Sequence, residues 1–380
     1  MFKKMPFLLI ILILITTLIT PYLSFEVKQF VFTTSFIIKK VIVFLLPLVI
    51  FGLLFKTVIQ LAEKATKIIL AILVFICLSN LLSTMLSYVV AQWVYGFNFR
   101  MITPNSIQEL VPLFDVPLSP FIRNDHAMLI ALVTGLFASW RLPHHAAKMA
   151  HSIERLLQKL LSGAVLIVPL FILGFIVKLR HDNVMAFIVK DYALIFAIVA
   201  LAQYTYIGIL YMLYSKGRLS TCIAHLQAML PATICGFSTM SSAASMPLTL
   251  LGVEHQAYHK DIARSVVPVS VNFHLIGDCF AIPIFAFAIM KSFGVSEPSF
   301  AAYVLFALYF VKQKFAVAAV PGGGILVMLG ILESQLGFNA EMISLITALY
   351  ILFDPVITSA NVFGNGVFAK FIDRFFYKVS

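Results

Sequence analysis

An aspartate, Asp354, interrupts an apolar segment near the C-terminus, and the glycine-rich run VPGGG precedes it at residues 320–324. A carboxylate inside a membrane segment is costly, so by default it marks a route for a substrate or an ion. Thr358 and Asn361 follow on the next turns and add polar groups to the same segment. These residues predict a polar binding site within a membrane protein, and hence a transporter.

Structural explanations are open for the same three residues. Pro355 follows Asp354 directly, so the aspartate could instead be solvated at a helix break. Thr358 and Asn361 could bridge two helices by hydrogen bonds. If Asp354 belongs to a binding site, it must have a cationic or hydrogen-bonding partner, because a buried carboxylate needs such a partner to offset its desolvation.

The composition is that of a polytopic membrane protein. Hydrophobic residues make up 61% of the 380 residues, charged residues make up 11%, and the mean hydropathy is +1.02. Soluble domains are far less apolar and far more charged. The first apolar segment, residues 5–23, lacks a small-x-small cleavage site, so we expect it to remain as the first helix.

The net charge of +11 indicates topology rather than nucleic-acid binding, because the basic residues are spread singly between apolar runs. With a cytoplasmic N-terminus, most of them fall in inner loops, as the positive-inside rule requires. This predicts a multi-pass protein of the inner (plasma) membrane with both termini in the cytoplasm. The four cysteines lack paired spacing, which argues against disulfides, a zinc site or another cofactor.

His144, His145, Lys148 and His151 are expected in an inner loop. Such a cluster could hold a metal ion. A solvated basic face explains it better, because inner loops are enriched in basic residues. No metal is therefore assigned.

Six apolar segments precede residue 214, at residues 5–23, 36–61, 67–95, 127–140, 153–179 and 184–213. The polar stretch 96–125 between the third and fourth predicts an outer loop. Two later segments are interrupted, residues 219–251 by GFSTMSSAAS and residues 300–336 by VPGGG. Each half is expected to be too short to cross a bilayer of about 30 Å, so each segment is predicted to be a re-entrant hairpin.

Two uninterrupted helices are expected beside these hairpins, at residues 262–290 and 345–376. The first carries His274, Gly277 and Asp278, and the second carries Asp354 and Asn361. Irregular backbone is tolerated at membrane depth only where it is buried in protein or lines a polar cavity. Paired interrupted segments therefore point to the binding site of a transporter.

Three stretches resemble the dicarboxylate/amino acid:cation symporters, the family of the glutamate and neutral amino-acid transporters. They are AMLPATICGFSTMSSAASMPLTLLGVEH at 228–255, VPGGGILVMLGILESQLGF at 320–338 and NVFGNG at 361–366. They are similar to the serine-rich hairpin tip, the Ile-Pro-Gly-Ala-Gly gate and the Asn-Val-Thr-Gly-Asp of the last helix in that family. The order of features covers nearly the whole chain.

The resemblance implies an all-α integral membrane protein with eight transmembrane helices and two re-entrant hairpins, assembled as a homotrimer. It also implies an elevator motion, in which a transport domain slides against a fixed scaffold. Residues 1–62 and 126–181 would form the scaffold. Residues 63–125, with the third helix and the outer loop, and residues 182–380 would form the transport domain.

The resemblance also implies roles for residues. Asp354 would bind the substrate's amino group, Asn361 would contact its carboxylate and an ion site, and Thr358 keeps the family's threonine. Backbone amides at the two hairpin tips would hold the α-carboxylate, since a helix N-terminus favours negative charge. The tip residues are Ser241, Ser242, Gly322 and Gly323.

One departure concerns the substrate. Family members that carry dicarboxylates place an arginine three residues after the aspartate, and here that position is Ile357. An isoleucine cannot pair with a second carboxylate. The sequence therefore favours a small neutral amino acid, with a dicarboxylate or glutamate as the alternative.

Other departures concern the coupling ion, which could be Na⁺ or H⁺. The family's Asn-Met-Asp-Gly-Thr appears as residues 274–278, so that its aspartate is Ile276, and Tyr350 stands where an aspartate is frequent. In the last helix Asn365 replaces another aspartate. Amide side chains remain for ion coupling at Asn272, Asn361 and Asn365.

His274 and Asp278 are four residues apart, so on one helix they would share a face and could relay protons. A structural pair that satisfies itself is an equal alternative. Lys312 and Lys314 precede the second tip and are expected to be interfacial lysines that extend toward water. The alternative is that a fixed ammonium stands in for a sodium ion.

The sequence thus predicts a secondary active symporter, not an enzyme, that acts on a small-molecule substrate in a lipid bilayer. No nucleotide-binding Gly-x-x-x-x-Gly-Lys motif occurs in the chain. A ligand-binding or anion-conducting relative without coupled transport is the alternative of a different class.

Overall fold

The computed structural model describes residues 5–63, 67–97, 110–118, 121–122, 124–181, 185–254, 257–317 and 322–379. Within these ranges every regular element is helical. The α-helices are α1 (Met5–Ile19), α2 (Phe25–Glu63), α3 (Lys67–Tyr95), α4 (Asn124–Arg141), α5 (Pro143–His181), α6 (Met185–Tyr214), α7 (Leu219–Thr239), α8 (Ser242–Glu254), α9 (Lys260–Phe273), α10 (Ile276–Ser292), α11 (Phe300–Gln313), α12 (Gly323–Leu336) and α13 (Ala340–Val379). Short 3-10 turns lie at Thr20–Tyr22 and Lys314–Ala316.

Long apolar stretches dominate several of these helices. Within the described residues, five helical stretches are long and apolar enough to cross a membrane: Ala71–Tyr95, Tyr192–Tyr214, Leu219–Thr239, Val266–Ser292 and Ala340–Phe376. In hydrocarbon a helix satisfies its own backbone hydrogen bonds, which is why such runs are helical rather than irregular.

In the first interrupted segment, one of the two arms is longer than expected for a helix too short to cross the bilayer. α7 has 21 residues, which at about 1.5 Å per residue is close to the thickness of the hydrocarbon core. α8, with 13 residues, is clearly shorter. In the second interrupted segment α11 and α12 have 14 residues each, and Val320 and Pro321 lie outside the described residues.

The stretch that contains His145, Lys148 and His151, expected in an inner loop, belongs to the N-terminal part of α5. α5 begins at Pro143, a residue suited to the first helical position because its missing amide has no partner there. Ala146 and Ala150 are buried on one face while His145, Lys148 and His151 are exposed on the other. The described residues contain no group of three or more side chains that could hold a metal ion.

The helices pack in two groups. α2 packs mainly against α5 and α4, and α1 packs on α5 and also contacts α13. In the second group α10 contacts α3, α13 and α6, while α13 also contacts α7, α8 and α9. Residues 276–290 of α10 are all buried, whereas Leu78 and Leu82 on α3 and Leu201 and Leu213 on α6 are exposed. The core of the second group therefore lies at α10 and α13.

Part of the predicted outer loop lies along α2. The Leu113 amide donates to the Thr33 hydroxyl at 2.8 Å, and the Lys40 ammonium donates to the Val116 carbonyl at 2.9 Å. Residues 98–109 of the same loop lie outside the described part of the chain. Residues 110–118 are thus attached to the first group of helices.

Candidate substrate and ion site

A break in the helical backbone lies at the centre of the second group. α9 ends at Phe273 and α10 begins at Ile276, and His274 and Leu275 have non-helical backbone angles (φ −92°, ψ 96° and φ −125°, ψ 66°). The expectation of one helix over residues 262–290 is therefore wrong. A break at this depth needs partners for the freed backbone groups.

Asn80 on α3 supplies those partners. Its Nδ2 donates to the Phe273 carbonyl at 2.7 Å, and its Oδ1 accepts from the Leu275 amide at 3.1 Å. The Asn80 side chain is fully buried, so its two hydrogen bonds satisfy backbone groups to which it gives the partners that water would otherwise supply. Sequence reasoning missed Asn80, although a lone amide in the apolar run ICLSNLLST was the available signal.

The break separates His274 from Asp278, so the premise that both share one helical face is wrong. His274 Nε2 lies 2.8 Å from the Ser79 hydroxyl, and Nδ1 lies 2.9 Å from Asn365 Oδ1. The imidazole also stacks on the Phe368 ring, with centroids 4.2 Å apart. The described hydrogen bonds of His274 lead to α3 and α13 rather than to Asp278.

Asp278 is a buried carboxylate with its own donors. Oδ1 accepts from the Tyr350 hydroxyl at 2.7 Å, and Oδ2 accepts from Asn361 Nδ2 at 2.8 Å. The Lys314 ammonium lies 3.7 Å from Oδ1. Asp278 also stands in the first turn of α10, where the helix dipole favours negative charge. These groups offset the cost of burying the charge.

Asp354 is the second buried carboxylate, and its partners are two residues assigned to the same site. Oδ2 accepts from the Gly322 amide at 2.9 Å, and Oδ1 accepts from the Thr358 hydroxyl at 2.8 Å. Only 3% of Asp354 is exposed, and α13 runs through Pro355 without ending. A solvated aspartate at a helix break is therefore the wrong explanation.

The Gly322 amide, expected to hold a substrate carboxylate, thus donates to Asp354. Gly322 has φ +71°, a conformation that an L side chain rarely adopts, and it directly precedes α12. The bond fixes the start of α12 against the middle of α13. Each carboxylate oxygen has a further lone pair, so Asp354 keeps capacity to accept from an ammonium.

Polar side chains form a stripe along α13. They recur at spacings of three or four residues, which places them on one face. The stripe consists of Tyr350, Asp354, Thr358, Asn361 and Asn365. All of its members are buried. Their partners lie in α10, at Gly322 directly before α12, at the 274–275 break and, for Thr358, within the stripe itself.

Gly277 allows α10 to approach this stripe. Its amide donates to Asn361 Oδ1 at 2.8 Å. A Cβ added at Gly277 would collide with the Ile357 carbonyl oxygen and would lie 3.1 Å from Asn361 Oδ1. The two helices therefore meet backbone to backbone here, and Asn361 bridges the Gly277 amide and the Asp278 carboxylate.

The first interrupted segment reaches the same region. α7 ends in a turn at Met240, which has φ +52°, and the Ser241 hydroxyl accepts from the Ala244 amide at 3.2 Å as a cap of α8. Ser242, the first residue of α8, is buried. One turn before the end of α7, a Cβ at Gly236 would lie 3.5 Å from the Thr358 carbonyl oxygen. The tip therefore lies beside the polar stripe of α13.

Other sequence-assigned residues have different environments. Asn272 is only partly buried and donates to the Pro268 carbonyl of its own helix at 3.3 Å. Ile357 is fully buried. Asn365 Nδ2 has no hydrogen-bond partner among the described residues. The described hydrogen bond of the Asn272 side chain thus leads away from the polar stripe.

The two lysines ahead of the second tip have opposite environments. Lys312 is exposed, with Nζ 5.6 Å from the Tyr309 ring centroid, as expected for an interfacial lysine. Lys314 is fully buried next to Asp278, so for Lys314 that expectation is wrong. The 3-10 turn Lys314–Ala316 directs this residue into the protein instead of continuing α11.

The sequence model of the sodium:dicarboxylate symporter family matches residues 5–375, which is nearly the whole chain. The chain belongs to this family. This is a family of transporters rather than enzymes, and five helical stretches in the described residues are long and apolar enough to cross a membrane.

Individual relatives are distant. Proteins described as excitatory amino acid transporters from Onchocerca volvulus and Caenorhabditis elegans are each 28% identical over 148 residues, 39% of this chain. The proton/sodium-glutamate symport protein of Geobacillus stearothermophilus is 27% identical over 141 residues, 37% of this chain. The matched part spans about a third of each relative, at 30%, 29% and 33% of their lengths.

Proposed function

We propose that this member of the family is a secondary active symporter for a small amino acid, with a neutral side chain favoured. The observation that carries the proposal is the buried Asp354 carboxylate, which lies where α12 begins against α13. An amino acid's ammonium offers the charge that such a carboxylate lacks. Thr358 and Asn361 lie on the same stripe and supply further polar contacts.

The neutral preference rests on Ile357. It is buried three residues after Asp354, at the position where the dicarboxylate carriers of the family have an arginine. An apolar side chain would leave that carboxylate desolvated and unpaired. The backbone amides near Ser241, Ser242 and Gly323 remain candidates for the α-carboxylate, because both hairpin tips lie at the start of a helix.

The coupling cation is Na⁺ or H⁺. The side-chain amide oxygens of Asn361 and Asn365 suit a hard cation, and the buried His274 with Ser79 and Asn365 suits a proton. A direct relay from His274 to Asp278 is not part of the proposal, because the break at residues 274–275 separates them.

The two packing groups support an elevator mechanism. The group of α1, α2, α4 and α5 coincides with the proposed scaffold at residues 1–62 and 126–181, and the remaining helices fall in the proposed transport part at residues 63–125 and 182–380. Eight transmembrane helices with two re-entrant hairpins, a homotrimer, and a plasma-membrane location with cytoplasmic termini belong to the same proposal.

A second candidate substrate is glutamate or another dicarboxylate. It is favoured by the similarity to two proteins described as excitatory amino acid transporters and one described as a proton/sodium-glutamate symport protein. A relative that binds a ligand or conducts anions without coupled transport is the candidate of a different class. Measurements of binding separate the two substrates, and measurements of uptake separate transport from binding alone.

The binding test is a thermal-shift comparison of the purified protein with alanine, serine, glutamate and succinate. A ligand that binds only the folded state raises the unfolding temperature as its concentration exceeds its dissociation constant. We expect alanine or serine to stabilise the wild type and Asp354→Asn to lose that shift. Asp115→Asn, an exposed aspartate on the loop beside α2, serves as the control and should keep the shift. An unchanged shift in Asp354→Asn would refute the assigned role.

A further inference from the structure

Among the described residues, the buried ammonium of Lys314 has one close anionic partner, Asp278. Lys314 is fully buried in the 3-10 turn after α11, and its Nζ lies 3.7 Å from Asp278 Oδ1. In the described part of the chain Nζ has no hydrogen-bond partner. A buried ammonium with no hydrogen bond is unfavourable unless charge nearby compensates it.

Two features of the surroundings provide that compensation. Asp278 carries the opposite charge, and the Phe310 ring centroid lies 4.2 Å from Nζ, within range of a cation–π contact. A Cβ added at Gly324, at the start of α12, would collide with Asp278 Oδ1 and with the Tyr350 hydroxyl. The carboxylate is thus enclosed by α10, α12, α13 and the turn that carries Lys314.

The Asp278 carboxylate is a group that a monovalent metal cation would use as a ligand. Its oxygens accept from the Tyr350 hydroxyl at 2.7 Å and from Asn361 Nδ2 at 2.8 Å, and each oxygen has a further lone pair. Hard cations are bound by such oxygen groups. In this chain the positive charge beside Asp278 is supplied by a side chain.

We propose that Lys314 is a tethered cation that balances the charge of Asp278, so that this carboxylate is not a ligand for a transported monovalent cation. The inference rests on the proposed function, because it concerns which charges travel with the substrate. A lysine that balances Asp278 reduces the number of coupling ions that the transport cycle requires at this position. It also makes Asp278 a charge-pairing residue that joins the α11–α12 segment to α10 and α13.

The test uses purified full-length protein without any amino acid and measures the unfolding temperature in sodium chloride and in choline chloride at equal ionic strength. Lys314→Ala leaves Asp278 uncompensated and opens space beside it. We expect its unfolding temperature to fall by several degrees in choline and to be restored in part by sodium, so that the sodium-induced shift exceeds that of the wild type. Lys312→Ala, which removes the exposed lysine two residues earlier, should match the wild type in both salts.

The double variant Asp278→Asn/Lys314→Ala removes both charges. It should be more stable in choline than Lys314→Ala alone, and it should lose the additional response to sodium. If Lys314→Ala does not fold, the double variant still decides, because folding of the double variant alone supports the pairing. The inference is overturned if Lys314→Ala responds to sodium as the wild type does, or if the double variant is as unstable as the single one. Since no amino acid is present, failure here is distinguishable from failure of the substrate assignment.

Discussion

The two buried carboxylates of the site have different surroundings, and this difference separates their roles. Asp354 is held by two neutral donors, the Gly322 amide and the Thr358 hydroxyl, and so its charge has no cationic side chain among its described partners. Asp278 has two neutral donors and the Lys314 ammonium. The carboxylate without a cation is the one suited to bind the ammonium of a substrate.

Ile357→Arg is expected to shift substrate preference toward acidic amino acids. An arginine three residues after Asp354 could form a bidentate pair with a side-chain carboxylate. A charge-assisted hydrogen bond is worth about 1.5–3 kcal/mol, so the preference for glutamate over alanine should rise roughly 10- to 100-fold. Competition between labelled alanine and unlabelled glutamate measures it.

Ile357→Met is the matched control, because it keeps an apolar side chain of similar volume at a buried position. It should leave the preference unchanged. Equal gains of glutamate binding in both variants would mean that the substituted charge is not responsible.

At the residue scale the sequence predicted Asp354, Thr358 and Asn361, because the cost of burying polar groups in an apolar run restricts what such groups can do. It did not predict the role of Asn80, and it gave a fixed ammonium at Lys312 or Lys314 only as an alternative. The partners of Asn80 and Lys314 are far away along the chain, so the local sequence does not show which groups these two residues contact.

At the scale of elements, the close approach of α10 to α13 determines the site. Gly277 is the contact point, since its amide donates to Asn361 and its missing side chain makes room for the Ile357 carbonyl. The same helix begins directly after the break that Asn80 stabilises. The position of Asp278 therefore depends on both α3 and α13.

Gly277→Ala should destabilise the protein and disturb the site. Overpacking at a close contact costs about 1–3 kcal/mol, which exceeds the gain of up to about 1 kcal/mol in helix propensity. Gly208→Ala in α6 is the control, because a Cβ there would have no heavy atom within 4 Å. Thermal unfolding should show a lower midpoint for Gly277→Ala and an equal or higher one for Gly208→Ala. Equal effects of the two substitutions would contradict the close-contact argument.

The helices themselves were predictable because long apolar runs have few alternatives in a membrane. The break inside residues 262–290 was not, since its freed backbone groups are satisfied by a side chain from α3. The N-terminal extension of α5 was missed for a different reason. Its buried alanines, Ala146 and Ala150, are too small to give a clear apolar pattern among histidines and a lysine.

At the scale of the whole molecule, membership of the symporter family agrees with a chain whose apolar surface is extensive and whose buried polar residues, among those described, lie mostly in the second helical group. α2 contacts α12 and the 3-10 turn that carries Lys314, so the two groups meet near the proposed site. In an elevator motion, the second group of helices would slide against the first along this contact.

Uptake into proteoliposomes tests the central claim most directly. Labelled alanine, serine or glutamate would be supplied to purified wild type and Asp354→Asn, with an inward sodium gradient, an inward proton gradient or neither. We expect a neutral amino acid to accumulate above equilibrium with at least one gradient, to be preferred over glutamate, and to be excluded by Asp354→Asn. Absence of accumulation under both gradients, a preference for glutamate, or unchanged uptake by Asp354→Asn would contradict it.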